Sequence, residues 1–250
     1  MMPDQPSVPV RRYSEANVPT EYGLFRVVVY REYLDAKDPS DGPAGETFRE
    51  HLAVVCGDVR GDDVVVRVHS ECLTGEVLHS LKCDCREQLD FGLRRIAEAG
   101  RGAVLYLRQE GRGIGLGDKI RAYALQEEGV DTVDANRMLG LPDDSRRYHV
   151  AAHMCEDLGI TSVALLTNNP LKVKALRAEG IPVVRRVPVL VEPNEHSLGY
   201  LVTKRRRMGH LLAVEGGELA VEGADDVPHA HTESPGSDTH RVLPFAIGGE

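Results

Sequence analysis

The chain has 250 residues, 42% of them hydrophobic, which is enough for one large or two small domains around a buried core and excludes a wholly disordered protein. The formal charge is −9, yet eight acidic residues against a single arginine lie beyond position 214, so the preceding body is close to neutral. A strongly basic face for duplex nucleic acid is therefore not evident, whereas local Arg and Lys clusters can still hold a compact polyanion such as a nucleotide.

In chain order, residues 1–15 read as a mobile arm, polar and punctuated by Pro3, Pro6 and Pro9, with a Pro-rich character that continues to about residue 20. No apolar segment separates its charges from a cleavage site, so it does not read as a secretion signal, and the protein is expected in the cytoplasm. A folded unit is expected over 16–213. Val-rich segments at 23–30, 52–56 and 63–69 predict short strands of a mostly antiparallel β region, interrupted by a Pro- and Gly-rich loop at 35–46.

From residue 81 the period changes. Leu89, Leu93, Ile96 and Ala97 share one helical face, and Gly100 is placed to stop that helix. An apolar strand at 103–107 leads into a glycine-rich loop, and Asp118 is placed to cap a helix reaching residue 128. Val150, Met154 and Leu158 mark another helix, followed by a strand at 162–166, a helix at 171–179 and a strand at 183–184. Strand, helix, strand order predicts parallel pairing, so the fold class is α/β with α+β character: an antiparallel N-terminal part and a parallel-stranded second part. Residues 214–250 lack any sustained period and read as a disordered acidic tail. No stretch approaches the roughly 20 apolar residues of a membrane span, so no membrane partner is expected.

Ligands of open α/β sheets sit beyond the carboxyl ends of the strands, and 109–117 and 167–172 occupy that place here. The first of these has glycine at every second position from Gly111 to Gly117, which matches neither a P-loop nor a dinucleotide fingerprint. Its glycines allow backbone N–H groups to approach a ligand, Arg112 offers a planar fork to phosphate, and Glu110 can accept from an amino-bearing base; a plain mobile loop fits the composition equally. Cys72, Cys83 and Cys85 have a C-x10-C-x-C spacing that suits zinc, against the alternative of three reduced core thiols. His69, His79 and Asp84 are the nearest candidates for a fourth ligand; without one, the fourth position falls to water and the site reads as catalytic. Cys56 and Cys155 read as core residues. Tyr123 follows Ile120 by three residues and by periodicity reads as a core tyrosine, while Asp144-Ser145-Arg146-Arg147 reads as a charged loop and 204–207 as an exposed basic cluster.

Together these segments carry a resemblance. Arg67-Val68-His69-Ser70-Glu71-Cys72-Leu73-Thr74-Gly75, Cys83-Asp84-Cys85, Arg108-Gln109-Glu110-Gly111-Arg112, Lys119-Ile120-Arg121-Ala122-Tyr123, Leu165-Leu166-Thr167-Asn168-Asn169-Pro170 with Lys172, and Met208-Gly209-His210-Leu211 resemble GTP cyclohydrolase II, the enzyme that opens riboflavin synthesis. The resemblance implies one zinc ion on Cys72, Cys83 and Cys85, and catalytic roles for Tyr123, Asp144 and Arg146. It implies GTP contacts from Arg67, Val68, His69, Ser70, Glu71, Gln88, Glu110, Gly111, Arg112, Thr132, Thr167 and Lys172. It further implies Mg2+ on the triphosphate, a homodimer, and release of formate and pyrophosphate to leave a diaminopyrimidinone ribosylamino phosphate. Gly113 stands where many relatives carry Asn, and the dihydroxybutanone phosphate synthase domain that some relatives bear upstream has no room here, so a single activity is expected. A relative that stops at an earlier product, or a non-catalytic nucleotide-binding regulator with a structural zinc, are the alternatives.

Overall fold

The computed structural model describes residues 10–34, 48–130, 132–142, 144–189, 191, 213–215 and 218–220. Seven strands form one sheet: β1 (Val10–Thr20), β2 (Gly23–Tyr33), β3 (Phe48–Cys56), β4 (Val64–Ser70), β5 (Gly102–Leu107), β6 (Val163–Leu166) and β7 (Val183–Val187), in the order β1-β2-β3-β5-β4-β6-β7. Pairing is antiparallel from β1 through β2 and β3 to β5, and parallel from β5 through β4 and β6 to β7. The expected division into antiparallel and parallel parts is present.

Two expectations differ. Residues 10–15, read as arm, begin strand β1, which pairs with β2 along its whole length and is exposed at every position after Val10. With neither face buried, its sequence carries no apolar alternation; backbone pairing and charged contacts such as Arg12 with Asp157, at 2.7 Å, hold it instead. The 63–69 segment, assigned to the antiparallel region, is the parallel strand β4 inside the sheet, between β5 and β6. Its period of two sends Val64, Val66 and Val68 to one face and Val65 to the other, so burial on both faces looks the same in sequence whichever way its neighbours run.

The helices follow the expected faces. In α2 (Cys85–Ala99), Ile96 is fully buried with Leu89, Leu93 and Ala97 packed around it, and Gly100 ends the helix at φ 65°. On the other face of the sheet, Val150, Ala151 and Met154 of α5 (His149–Asp157) and Leu176 of α6 (Pro170–Ala178) join the strand valines in the larger core. The chain leaves β4 through α1 (Leu73–Glu76) and α2 to reach β5 on one side. It then crosses by α3 (Leu116–Glu127), α4 (Thr132–Met138) and α5 to β6 on the other. The sheet order thus reverses at β4, and the carboxyl end of such a strand is where open α/β sheets place ligands. Helix α3 starts two residues before the expected Asp118, behind Gly115.

At the start of the stretch read as a disordered tail, residues 213–215 and 218–220 pair as a two-stranded antiparallel hairpin. The loop at 35–46, the basic cluster at 204–207, the 208–211 motif and the rest of the tail lie outside the described residues. Among the described residues no helix is long and apolar enough to cross a membrane.

Candidate active site

The last residues of β4 bring buried polar groups into the reversal point. Arg67 is 4% exposed and donates from each nitrogen: Nε to His69 Nδ1 at 3.2 Å, Nη1 to the Leu166 carbonyl at 3.3 Å and Nη2 to Gln88 Oε1 at 2.7 Å. Because His69 Nδ1 accepts, its proton is on Nε2, which donates to Glu76 Oε1 at 2.7 Å. Glu76 also accepts from the Cys72 amide at 3.0 Å and from the Tyr106 hydroxyl at 2.5 Å. Gln88 in turn donates to Asp84. A buried chain of hydrogen bonds therefore ties the turn of Cys72 to that of Cys83 and Cys85.

Burial pushes His69 down to about 4, against the pull of Glu76, so it is neutral at neutral pH. Its folded value lies below the unfolded 6.5, so the unfolded chain binds the proton more readily. The stabilisation is complete above about pH 6.5 and is lost as pH falls, reaching about 3 kcal/mol by pH 4. Urea unfolding of wild type and His69→Gln should show this: the wild-type midpoint falls between pH 7 and pH 4 by more than that of the variant. Equal falls would contradict a neutral buried His69.

Cys72 just before α1, Cys83 just before α2 and Cys85 at the first residue of α2 converge with all sulfurs within 4.8 Å of one another. Cys72 and Cys83 sulfurs are 3.7 Å apart, too far for a disulfide bond at about 2 Å and close to the roughly 3.8 Å edge of a tetrahedron with 2.3 Å zinc–sulfur bonds. Hydrogen bonds from Cys83 and Cys85 hold the Cys72 thiol well below its ordinary value, outweighing burial, with the Lys119 ammonium at 3.1 Å adding to them. Cys72 in turn pushes the Cys83 thiol up. Three sulfurs so placed cannot all ionise without a cation among them, and a divalent metal is such a cation. The donor set fits zinc. His69, His79 and Asp84 do not join it: no fourth His, Cys, Asp or Glu belongs to the group among the described residues.

Gly75 sets the floor of this cluster. A Cβ there would lie 2.9 Å from the Cys83 sulfur and 3.3 Å from that of Cys72, closer than packing allows, so Gly75→Ala must push the sulfurs apart. The expected outcome is a folded protein whose affinity for zinc, measured by competition with a chromogenic chelator, falls at least about tenfold. Unchanged affinity would show that the sulfurs adjust freely.

The same cavity is lined by five cations, Arg67, Arg112, Lys119, Arg146 and Lys172, against Glu71, Asp84 and Glu110, a balance suited to a polyanion. Lys172 reaches it from the first turn of α6, which Asn169 caps by accepting from Leu171 N at 2.9 Å, with Pro170 at the first helical position; such a cap is worth about 1 kcal/mol. Its ammonium donates to the Val68 carbonyl at 2.9 Å. After β5, Glu110–Gly113 makes a 3-10 turn in which Gly111 and Arg112 both have φ of 61°. That conformation costs Arg112 energy and presents it to the cavity. Arg146 is bidentate on Asp144, with Nε to Oδ1 at 2.9 Å and Nη2 to Oδ2 at 2.5 Å. Burial raises the Asp144 carboxyl, but the Arg146 bonds outweigh it and hold the group below the usual range.

Of the residues singled out in sequence, Cys72, Cys83, Cys85, Arg67, His69, Ser70, Glu71, Gln88, Glu110, Gly111, Arg112, Tyr123, Arg146, Thr167 and Lys172 line this one cavity. Val68 does not face it: its side chain is 1% exposed in the core and only its carbonyl meets Lys172. Thr132 starts α4, and Asp144 stands behind Arg146. Tyr123 is not the core residue that periodicity suggests, because Ile120 on the same stripe is 49% exposed and the tyrosine is half-buried at the cavity wall. Among the described residues the buried Ser70 hydroxyl has no hydrogen-bond partner, so a ligand can satisfy it.

Sequence reasoning missed Lys119 and Glu76. Lys119 is 9% exposed and bridges the Cys72 sulfur to Glu110 Oε1 at 2.8 Å. Glu110 further accepts from Leu73 N at 2.7 Å and Gly111 N at 2.8 Å, so its carboxylate is occupied in joining loop, lysine and thiolate. A lysine beside Ala122 on the buried side of α3 was the available signal.

Comparison with known proteins agrees with this geometry. The family model described as GTP cyclohydrolase II matches residues 11–188. The protein is 47% identical to GTP cyclohydrolase-2 of Actinobacillus succinogenes over 90% of this chain and 97% of that one. It is 49% identical to GTP cyclohydrolase-2 of Haemophilus influenzae over 81% of this chain and 89% of that one. It is also 49% identical to the riboflavin biosynthesis protein RibBA of Bacillus velezensis, over 81% of this chain and 48% of that longer protein.

Proposed function

The chain belongs to the GTP cyclohydrolase II family of enzymes, and from that premise we propose that it hydrolyses GTP, releasing formate and pyrophosphate and leaving a diaminopyrimidinone ribosylamino phosphate for riboflavin synthesis. The observation that carries this reading is the meeting, in one cavity, of three convergent thiols with a set of cations that includes a carboxylate-held arginine. Cys72, Cys83 and Cys85 would hold zinc, which when bound supplies Lewis-acid chemistry toward the water that opens the imidazole ring at C8.

The remaining work falls to side chains. Tyr123, on the cavity wall, holds or gives a proton at its hydroxyl during ring opening. Arg112, Lys172 and Thr167 bind the nucleotide, and Ser70 offers its unpaired hydroxyl. Arg146 clamps the α-phosphate through its planar fork while water attacks. A guanidinium remains protonated at neutral pH, and an Asp144 carboxylate held below its usual range is a poor acceptor for an arginine proton. That ordering of acidities favours a clamp over a nucleophilic arginine. Mg2+ on the triphosphate, a homodimer and a cytoplasmic location belong to the same reading and rest on the resemblance.

The test is to incubate the purified protein with GTP and Mg2+ and identify products by mass. Formate, pyrophosphate and the diaminopyrimidinone are expected; an intact triphosphate overturns the reading.

A further inference from the structure

Gln109 follows β5 by two residues and has no part in the chemistry above, yet both ends of its amide meet the same residue. Its Nε2 donates to the Arg147 carbonyl at 2.8 Å, and its Oε1 accepts from the Arg147 amide at 2.8 Å. The side chain thus pairs with one residue of backbone as a neighbouring strand would. The described residues of 144–148 have no regular secondary structure, so such ties fix where they lie. Two more come from the same loop: Ser145 N donates to the Arg112 carbonyl at 2.9 Å, and a Cβ on Gly113 would lie 3.0 Å from the Ser145 carbonyl carbon. Arg146 lies between these anchor points, with its side chain 12% exposed.

We propose that Gln109 is a positioning residue that aims Arg146 into the cavity by clamping the backbone of Arg147. The inference rests on the reading of Arg146 as the phosphate clamp. A displacement of about 1 Å in a positioning element can cost about 100-fold in rate, because the fork of Arg146 must match the phosphoryl oxygens in both distance and plane. Removing the clamp acts on turnover more than on binding, since the other cations lining the cavity are not held by Gln109.

Two variants test it. Gln109→Ala removes both bonds, and the isosteric Gln109→Glu keeps the acceptor but sets a carboxylate oxygen against the Arg147 carbonyl. Both should lower kcat for pyrophosphate release by about 30- to 100-fold, with KM for GTP within about threefold and the melting temperature nearly unchanged. Combining Gln109→Ala with Arg146→Lys should cost little beyond Arg146→Lys alone, because two residues that act through one group are not additive. Hydrogen exchange of the Arg147 amide in the nucleotide-free protein should accelerate at least about tenfold in both variants. Unchanged exchange, or fully additive losses in the double variant, would overturn the inference. If exchange accelerates but Arg146→Lys itself turns over at the wild-type rate, the clamp on the backbone stands and the role given to Arg146 fails.

Discussion

Cys83→Ser is expected to abolish formate release from GTP while leaving pyrophosphate release partly intact. Cys83 is 4% exposed and its sulfur lies 3.7 Å from that of Cys72, so serine takes its place with little change of volume but removes one of three soft donors. Two thiolates do not retain zinc as three do, and elemental analysis should show metal content falling with the loss of formate. The loss should be several orders of magnitude, since the uncatalysed attack on C8 has no other electrophilic assistance. Arg146 is ordered by its two bonds to Asp144, so the phosphate step should continue in a protein whose circular dichroism is unchanged. Formate at the wild-type rate would contradict the role given to the thiolates. Loss of both products in a folded protein would mean that the phosphate step waits on ring opening or on the metal.

Arg146→Lys should be nearly as severe at the other step. Lysine keeps the charge and loses the fork that Arg146 presents, a planar set of donors already ordered by two bonds to Asp144. Loss of such a directed donor typically costs about 100- to 1000-fold, or about 3–4 kcal/mol of transition-state stabilisation. Pyrophosphate release should fall by that factor, whereas zinc content should not change. Release within about threefold of wild type would mean that positive charge alone suffices.

These expectations draw unequally on sequence and structure. The apolar face of Leu89, Leu93 and Ile96 and the stop at Gly100 were legible because a half-buried helix and its left-handed cap leave a local pattern. The close spacing of Cys83 and Cys85, with Cys72 on the preceding turn, was legible for the same reason of nearness. Strand β1 was not, because an exposed edge strand buries nothing and is held by pairing alone. Nor was the place of β4 between β5 and β6, since burial on both faces does not say which strands pair with it. Glu76 and Lys119 gain their place only when the fold brings His69, Cys72 and Glu110 to them, contacts that no strand or helix period encodes. The carboxylate of Glu110, read as a base-recognising group, also joins Lys119 and two backbone amides, a link that only the fold reveals.

The central claim is that one cavity works on two ends of one nucleotide, with the thiolates at the imidazole and Arg146 at the α-phosphate. A crystal structure of the zinc-loaded protein with a non-hydrolysable GTP analogue tests it most directly. The account predicts C8 of the base turned toward Cys72, Cys83 and Cys85, and the α-phosphate within hydrogen-bond distance of the Arg146 guanidinium. A nucleotide bound with its phosphates at the sulfur cluster, or with its α-phosphate out of reach of Arg146, would contradict it.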